Sequence, residues 1–322
     1  MIITVINNKG GTGKTTTSVN LAGALAELGH RTLIIDLDPQ ASASISLGAT
    51  PMTLAPSVSN VLFDGMGMQS AIRRSPTPRM DFVTSDMELI HSDVMLADLP
   101  GREGQLRDAL RDVAEDYDFI LCDCPPYFSM VSVNALVAAD AFVIPVTADY
   151  LTLSDLGRML DVVEKLRQNM SIQAELLGII LTMTPKRPPF LSSSVSRVWS
   201  SIRELHKHYG DDVFATHIDR DPKLASAPVY GNTIFGTAHS SRGAKQYLAL
   251  ARELLDRCSA LKLMGDGRRP SILREAQQRH KRPNAFHDTH MDAQARRNAY
   301  FTWGEEEEHE AGSLQLSNMR IQ

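Results

Sequence analysis

The sequence predicts an α/β fold, a doubly wound and mostly parallel β-sheet with helices on both faces. Short apolar runs rich in β-branched residues alternate along the chain with longer segments of helical periodicity. The runs lack the polar alternation of a half-exposed sheet, which is typical of strands that are covered on both faces. A glycine-rich segment joins the first run to the first helical segment. Together these features indicate strand–helix units wound around one parallel sheet.

The predicted elements begin within the first residues of the chain. IITVI at residues 2–6 predicts the first strand, and Lys14–Leu28 predicts the helix that follows it. Further strands are predicted by RTLIID at 31–36, DFILCD at 118–123, AFVIPV at 141–146 and ELLGIILTM at 175–183. No low-complexity segment interrupts this alternation, so we expect residues 1–262 to form one domain.

The character of the sequence changes after residue 262, and we predict a C-terminal extension over residues 263–322 that is helical or partly disordered. Its first part is basic, with six lysine and arginine residues between Arg268 and Arg282. Its second part contains the acidic run Glu305–Glu310. Charge segregated in this way is typical of a solvated segment. A nucleic-acid-binding arm and a partner-docking segment remain as alternatives.

Length and composition are those of an ordinary globular protein. The chain has 322 residues, of which 43% are hydrophobic and 22% charged, and a formal net charge of −5. This charge gives no global indication of nucleic-acid binding, so any basic surface must be local. Three cysteines are too few for a disulfide framework. Because the sequence also lacks a secretion signal and a bilayer-spanning apolar run, we expect a cytoplasmic protein with no membrane partner.

The segment NNKGGTGKTTT at residues 7–17 has the features of a phosphate-binding loop. A glycine-rich loop between a strand and a helix lets backbone N–H groups converge on phosphate oxygens. The three glycines are expected to supply unusual backbone angles, Lys14 to reach the β and γ phosphates, and the Thr15 hydroxyl to coordinate Mg²⁺. The predicted nucleotide-binding residues are Lys9, Gly10, Gly11, Thr12, Gly13, Lys14, Thr15 and Thr16.

This loop departs from the usual phosphate-loop pattern at two positions. The pattern G-x-x-x-x-G-K-[ST] requires a glycine five positions before Gly13, where this chain has Asn8. A second lysine, Lys9, stands at the entrance of the loop. The phosphate-binding chemistry of Lys14 does not by itself explain a second lysine.

Three aspartates at predicted strand ends are candidates for a metal site. LIIDLDPQ ends one strand with Asp36 and Asp38, and FILCDCPP ends another with Asp123. An aspartate delivered beside bound phosphates can hold Mg²⁺ directly or through water. We predict a metal site formed by Thr15, Asp36 and Asp123. Asp38, expected on the same face of the extended chain as Asp36, is assigned to orienting the attacking water. A turn or helix-capping role is the alternative for each aspartate.

KGGTGKTTT, DLDPQ and CDCPP, in this order and spacing, resemble the motifs of the ParA family of deviant-Walker-A partition ATPases. The resemblance covers residues 1–257 and includes LTMTPKR, VFATHIDRDPKLASAPVYGNTI and SSRGAKQYLALAREL. It implies that residues 1–262 are a P-loop ATPase domain of the ParA and MinD superfamily, closer to the ParA and Soj type. It also implies ATP and Mg²⁺ as cofactors and slow, partner-stimulated ATP hydrolysis.

The resemblance implies a function for the second lysine. Family members form an ATP-sandwich homodimer in which this lysine reaches the partner's nucleotide, so Lys9 joins Lys14 and Asp38 as a catalytic residue. The ATP dimer would bind DNA non-specifically and position or segregate a plasmid, a chromosome or a protein assembly. A ParB-like or other adaptor would stimulate hydrolysis. These properties imply a cytoplasmic, nucleoid-associated protein whose cargo the sequence does not identify.

The DNA-binding residues that the resemblance implies are Arg220, Lys223, Arg242 and Lys245. Side chains of this kind contact phosphates and give salt-dependent affinity without sequence preference. Asp219 and Asp221 flank the first arginine, where the family usually has proline and asparagine. We expect these carboxylates to weaken phosphate binding locally or to shift it toward the other three residues and the basic tail. A solvated surface is the alternative.

Two other functions within the same superfamily are considered. A membrane-cycling, MinD-like positioning ATPase needs a C-terminal amphipathic helix, and Ser271–Arg282 offers only a narrow apolar face. The second alternative is a metabolic ATPase, either a ligase that carboxylates a small molecule or an iron–sulfur ATPase that donates electrons. An electron-donating ATPase needs exposed cysteines for an iron–sulfur cluster that bridges its subunits. Cys122 and Cys124 are instead expected to fill the core.

The methionine and leucine residues of HSDVMLADLPGREGQLRDAL, residues 91–110, recur at helical spacing. Such spacing usually marks the buried face of a helix, so we expect these residues to belong to the core. The histidines of the chain show no spacing typical of a metal site.

Overall fold

The computed structural model describes residues 1–147, 153–170, 172–185 and 193–264. The predicted C-terminal extension lies outside the described residues from residue 265 onward, so the predicted domain boundary stays a prediction. In the described residues no helix is both long and apolar enough to cross a membrane.

Seven strands form one sheet in the order β3-β4-β2-β5-β1-β6-β7, and all neighbouring pairs are parallel except β3 with β4. This arrangement confirms the predicted doubly wound, mostly parallel sheet. The short strands β3 and β4 are not predicted from the sequence. The strands are β1 Ile2–Val5, β2 Thr32–Asp36, β3 Ile72–Arg74, β4 Met80–Val83, β5 Phe119–Asp123, β6 Ala141–Thr147 and β7 Glu175–Thr182.

Helices cover both faces of the sheet. In chain order they are α1 Lys14–Glu27, α2 Ser42–Ser46, α3 Val58–Phe63, α4 Met68–Ala71, α5 Ser92–Met95, α6 Gln105–Leu110, α7 Met130–Ala138, α8 Leu153–Asn169, α9 Ser193–Tyr209, α10 Pro222–Ser226, α11 Ile234–Ala238 and α12 Arg242–Met264. Short 3₁₀ turns connect several of them, including Met87–His91 before α5 and Ala227–Tyr230 after α10.

The strands other than β3 supply two hydrophobic cores because their side chains alternate between the two faces of the sheet. Leu33 and Ile35 of β2 pack into a core that also contains residues of α6 and α7. Ile34, between them, packs on the opposite face with residues of α1 and α12. The near-continuous apolar strand runs therefore follow directly from burial on both sides.

The register of the central strands brings three strand ends together. Asp123 at the end of β5 is the register partner of Val5 in β1 and of Asp36 in β2. The chain order places β2 and β6 on opposite sides of β1 in the sheet. Ligands of open α/β sheets bind in the crevice formed where the connections diverge in this way.

The expectation that the methionine and leucine residues of 91–110 belong to the core is wrong in part. Leu96, Leu106 and Leu110 are buried, whereas Met95 and Leu99 are exposed. The segment is not one continuous helix. It consists of the single-turn helix α5, a loop and the short helix α6, so a helical period cannot keep all these side chains on one buried face.

Candidate functional site

The glycine-rich loop lies between β1 and α1, at the edge of the sheet where the parallel strands end. Gly11 and Gly13 have positive φ angles of 71° and 83°, a region that favours glycine. Gly10 does not have a positive φ, so the expectation that all three glycines supply unusual angles is wrong at this position. Gly13 immediately precedes α1 and accepts a backbone hydrogen bond from Thr17.

Long-range hydrogen bonds fix the loop to the sheet. The Asn7 amide donates to the Pro145 carbonyl in β6 at 2.7 Å, and its oxygen accepts from the Lys9 backbone N–H at 3.0 Å. The Thr182 hydroxyl at the end of β7 lies 2.8 Å from the Thr12 carbonyl. Sequence reasoning did not identify Asn7 or Thr182, because their partners are remote in the chain.

Lys14 spans the loop from the first turn of α1. Its Nζ donates to the Lys9 carbonyl at 2.9 Å, and the side chain is buried. Burial lowers the pKa of Lys14, and the negative charges of Asp123 and Asp38 oppose that shift. The ammonium group is therefore held inside the loop, next to carboxylates that favour its charged form.

The Lys9 side chain lies on the surface beside α8, although its backbone belongs to the same loop. Its Nζ is 3.9 Å from Asp155 Oδ2, and about two fifths of the side chain is exposed, 42% against 43% for Asp155. The two lysines of the loop thus occupy different environments. Lys14 is enclosed, whereas Lys9 extends to a surface that another molecule can reach.

Asp36 and Asp123 are adjacent buried carboxylates at the ends of neighbouring strands. Burial raises the pKa of Asp36, and the charge of Asp123 raises it further. Burial also raises the pKa of Asp123, against the effect of the Ser18 and Thr15 hydroxyl groups. Ser18 donates to Asp123 Oδ1 at 2.8 Å. In this arrangement two acidic groups share one dry site, which a cation would stabilise.

One oxygen of this pair has no hydrogen-bond partner among the described residues. Asp123 Oδ2 is buried and unsatisfied, which is costly for a carboxylate oxygen unless a metal ion or its water completes the site. Thr15, at the start of α1, lies close enough to affect the pKa of Asp123. Hard oxygen donors of this kind suit Mg²⁺, so Asp123 and Thr15 fit the predicted metal site.

Asp36 has a structural partner that the sequence analysis missed. Ser44 of α2 donates to Asp36 Oδ2 through its backbone N–H at 2.8 Å and through its hydroxyl at 2.6 Å. Asp36 Oδ1 accepts from the backbone N–H of Asp38 at 3.1 Å. Both oxygens of Asp36 are therefore engaged within the protein, and the carboxylate fixes the start of α2.

Asp38 lies in a turn after β2. The strand ends at Asp36, but Leu37 packs into the same core as Leu33 and Ile35, so the side-chain alternation continues beyond the strand end. Asp38 Oδ1 accepts from the Gln40 backbone at 3.0 Å, and its carbonyl accepts from the Ser85 hydroxyl at 2.6 Å. The partly exposed carboxylate is near enough to Lys14 to affect its pKa. Asp38 therefore lies at the mouth of the site rather than in its floor.

Cys122 and Cys124 are buried on either side of Asp123, as the sequence predicts. Burial raises the pKa of both thiols, which keeps them protonated and inert. Within the described residues no group of three or more His, Cys, Asp or Glu side chains is placed to hold a metal ion. Neither cysteine is exposed for the bridging cluster that an electron-transfer ATPase requires.

The four predicted DNA-binding residues are exposed around the N-terminal ends of α10 and α12. They are Arg220, Lys223, Arg242 and Lys245. We call this set the cationic surface.

The carboxylates that flank Arg220 are engaged within the protein. Asp219 is buried, accepts from the Thr184 hydroxyl at 2.5 Å and forms an ion pair with Arg242. Asp221 caps α10 through the Lys223 backbone at 2.9 Å and also accepts from the Gly243 backbone at 2.8 Å. Both carboxylates therefore hold the cationic surface together, which the flanking sequence does not indicate.

Comparison with known proteins decides the family. Residues 1–176 match a family model described as an AAA domain, AAA_31. The chain is 35% identical over 253 residues to the sporulation initiation inhibitor protein Soj of Bacillus subtilis, covering 79% of this chain and 97% of Soj. It is 33% identical over 256 residues to the chromosome partitioning protein ParA of Myxococcus xanthus, covering 80% and 88% of the two chains. The chain belongs to the ParA family of ATPases.

Solved structures of other proteins share the fold of this chain. A cobyrinic acid a,c-diamide synthase of Mycobacterium smegmatis, with an ATP analogue and magnesium bound, aligns with a TM-score of 0.68 at 30% identity over 79% of this chain and 93% of that one. An ATP complex of Cyanothece McdA aligns with a TM-score of 0.67 at 21% identity over 79% and 96%. The fold of this chain is thus also the fold of a protein named for small-molecule chemistry.

We predict that Lys14→Ala abolishes nucleotide binding by the isolated subunit, because the enclosed ammonium is the main counter-charge for phosphate inside the loop. Lys9→Ala is the matched control and should bind nucleotide about as well as the parent, since its side chain lies outside the loop. Isothermal titration with Mg²⁺ and ATP measures both. Parental affinity in Lys14→Ala would contradict the assignment of the loop.

Proposed function

We propose that this ParA-family protein is an ATP-dependent dimerising switch that positions or segregates a cargo. The ATP-bound homodimer binds DNA without sequence preference, and a ParB-like or other adaptor stimulates hydrolysis and releases the dimer. The observation that carries the proposal is the separation of the two lysines, with Lys14 enclosed in its own loop and Lys9 at the surface beside Asp155. This arrangement suits a site completed by a second subunit.

Nucleotide binding follows from the loop and the carboxylates beside it. Lys14 would exchange its contact with the Lys9 carbonyl for the β and γ phosphates, while backbone N–H groups of residues 10–16 surround them. Thr15 and Asp123 would hold Mg²⁺, with Asp36 acting through water. A bound Mg²⁺ neutralises charge on the phosphate oxygens during hydrolysis. Asp38, at the mouth of the site, would orient the attacking water.

Dimerisation would bring Lys9 of one subunit to the nucleotide of the other. A cation supplied in trans can increase phosphoryl-transfer rates by roughly 10³ to 10⁵. Because the nucleotide forms part of the interface, ATP binding would favour association by mass action. Loss of the γ-phosphate would remove that link and release the subunits.

DNA binding is assigned to the cationic surface and places the protein at the nucleoid in the cytoplasm. With Asp219 and Asp221 engaged internally, the exposed groups of this surface are predominantly positive. Contacts of this kind to phosphates give affinity that falls steeply with salt. This assignment is supported by the positive charge and the exposure of these side chains at the N-terminal ends of α10 and α12.

The two alternative functions, a membrane-cycling ATPase and a metabolic ATPase, require different features of this chain. A membrane-cycling ATPase would require an amphipathic anchor, and the segment considered for it, Ser271–Arg282, lies outside the described residues. A metabolic ATPase is favoured by the likeness to the M. smegmatis synthase, at a lower identity than to Soj or ParA. Binding to random-sequence DNA separates the proposed function from both.

We predict that mixing Lys9→Ala and Asp38→Ala subunits restores hydrolysis that neither variant has alone. If Lys9 acts in trans, each mixed dimer contains one site with both residues intact and one site that lacks both. Random exchange at equal concentration then gives about one quarter of the parental rate, because half of the dimers are mixed and each has one working site. A steady-state phosphate-release assay measures this.

The mixture also separates action in trans from action in cis. If Lys9 serves its own nucleotide, every site in a mixed dimer lacks either Lys9 or Asp38 and no activity returns. A fully active Lys9→Ala protein would show that the lysine has no catalytic role.

We predict that DNA binding needs ATP and falls with salt. Biolayer measurements on random-sequence duplex, with ATP and with ADP over a salt series, give both quantities. Lys223→Gln with Lys245→Gln should weaken binding and reduce the salt slope by about 2 for each subunit that contacts DNA, or about 4 for the dimer, because roughly one counter-ion is released per phosphate contact. Lys165→Gln on α8 is the control with an unchanged slope. Equal affinity in ATP and ADP would contradict the proposal.

A further inference from the structure

The segment Met87–Leu99 exposes an apolar surface that the ATPase site does not use. It comprises the 3₁₀ turn Met87–His91, the single-turn helix α5 and the residues that follow. Five large apolar side chains in it are between 37% and 75% exposed, whereas Leu89 and Leu96 are buried. Several large apolar side chains exposed within one short segment are typical of an interaction site. The exposed members are Met87, Ile90, Val94, Met95 and Leu99.

The same surface is acidic. Residues 86–99 contain four Asp and Glu residues, one histidine and no lysine or arginine. Glu88, Asp93 and Asp98 are exposed among the apolar side chains. We call the exposed side chains of Met87–Leu99 the acidic apolar stripe. Apolar and acidic side chains therefore alternate along the stripe, so a partner that covers its apolar members also meets its negative charges.

The stripe is connected to the ATPase site through the loop after β5. Asp93 Oδ1 accepts from the Met130 backbone N–H at 2.7 Å, at the start of α7. Residues 124–129 connect this point to Asp123. Tyr127 in that loop lies near both Asp93 and Asp38, since the charges of both raise its pKa after the larger effect of burial. A molecule bound on the stripe would therefore contact elements that also border the predicted water-orienting residue.

Charge selects the occupant of the stripe. A second copy of this chain docked by two-fold symmetry would bring the stripe's acidic groups toward one another, which disfavours self-association here. DNA and anionic lipid surfaces are repelled for the same reason. A helix with an apolar face and flanking lysine or arginine residues satisfies both the exposed apolar area and the negative charge.

We propose that the acidic apolar stripe is the docking surface for a basic amphipathic helix of the adaptor protein. This inference rests on the proposed function, in which an adaptor stimulates hydrolysis, and assigns that adaptor a surface and a chemistry. Docking would hold the loop of residues 124–129 through Asp93 and Met130 and so act on the Asp38 side of the site.

The test uses the full chain and two synthetic fluorescent helical peptides. One carries leucine at i, i+3, i+4 and i+7 spacing with lysine elsewhere, and the other has glutamate in place of lysine. Fluorescence anisotropy should show binding of the lysine peptide and not of the glutamate peptide. The Ile90→Ser, Val94→Ser double variant should weaken binding by about tenfold or more, because two exposed apolar side chains lose their burial in the complex.

Two further variants control the measurement. Val229→Ser removes an exposed valine from the turn after α10 and should bind the lysine peptide like the parent. Glu88→Gln with Asp98→Asn should weaken binding and reduce its dependence on salt. These substitutions are at exposed side chains, and circular dichroism with basal ATPase activity, expected to match the parent, verifies that the variants fold.

Three results would overturn the proposal. They are parental affinity in the Ile90 and Val94 variant, equal binding of the glutamate peptide, and a peptide-free self-association that the double variant abolishes. The last would assign the stripe to a second copy of this chain. ATP-dependent DNA binding by the parent is measured in parallel, so that failure of the partition function is distinguished from failure of the docking surface.

Discussion

Two buried carboxylates, Asp36 and Asp123, impose the constraint on which the rest of the site depends. Parallel pairing of β2 with β5 places them side by side, in a position with little solvent to stabilise their charges. Because burial raises both pKa values above those of the unfolded chain, they stabilise the fold at low pH, and that contribution is lost as pH rises through the folded-state values. The neighbouring hydroxyl and ammonium groups offset part of this cost, and a divalent cation would offset the rest.

Contacts around these two carboxylates extend toward the cationic surface on one side and toward the acidic apolar stripe on the other. Ser44, which satisfies Asp36, belongs to α2, and the chain after α2 packs its Gly48 directly against Gly231. A Cβ atom at Gly231 would lie 2.8 Å from Gly48 Cα, so only glycine permits this approach. Gly231 ends the turn that follows α10, which carries Lys223 of the cationic surface. On the other side, Asp123 begins the loop that leads to the acidic apolar stripe.

Sequence alone predicts the parts of the site that depend on local order. A strand, a glycine-rich loop and a helix specify where Lys14 points, and parallel strands bring their terminal aspartates to one edge. The partners of Asn7, Asp36 and Asp219 were not predictable, because hydrogen bonds to β6, α2 and α12 depend on tertiary packing. Met95 was wrongly assigned to the core for a related reason, since apolar spacing does not reveal where a short helix ends. The residues of the predicted nucleotide site are thus recognisable from short sequence motifs, whereas the hydrogen bonds that hold them in place become visible only in the folded structure.

The most direct test of this account uses the Asp123→Asn variant at pH 8. Urea unfolding without nucleotide gives its free energy of unfolding relative to the parent. Thermal shifts on adding Mg²⁺ and ATP then give the stabilisation of each protein by the ligand. Asparagine keeps an oxygen for the Ser18 hydroxyl and removes one of two adjacent buried charges. The account predicts an apo variant more stable than the parent by about 1–3 kcal/mol, with most of the Mg²⁺–ATP stabilisation lost. The exposed control Asp98→Asn should change neither quantity. An apo variant less stable than the parent, or one still fully stabilised by Mg²⁺ and ATP, would contradict the account.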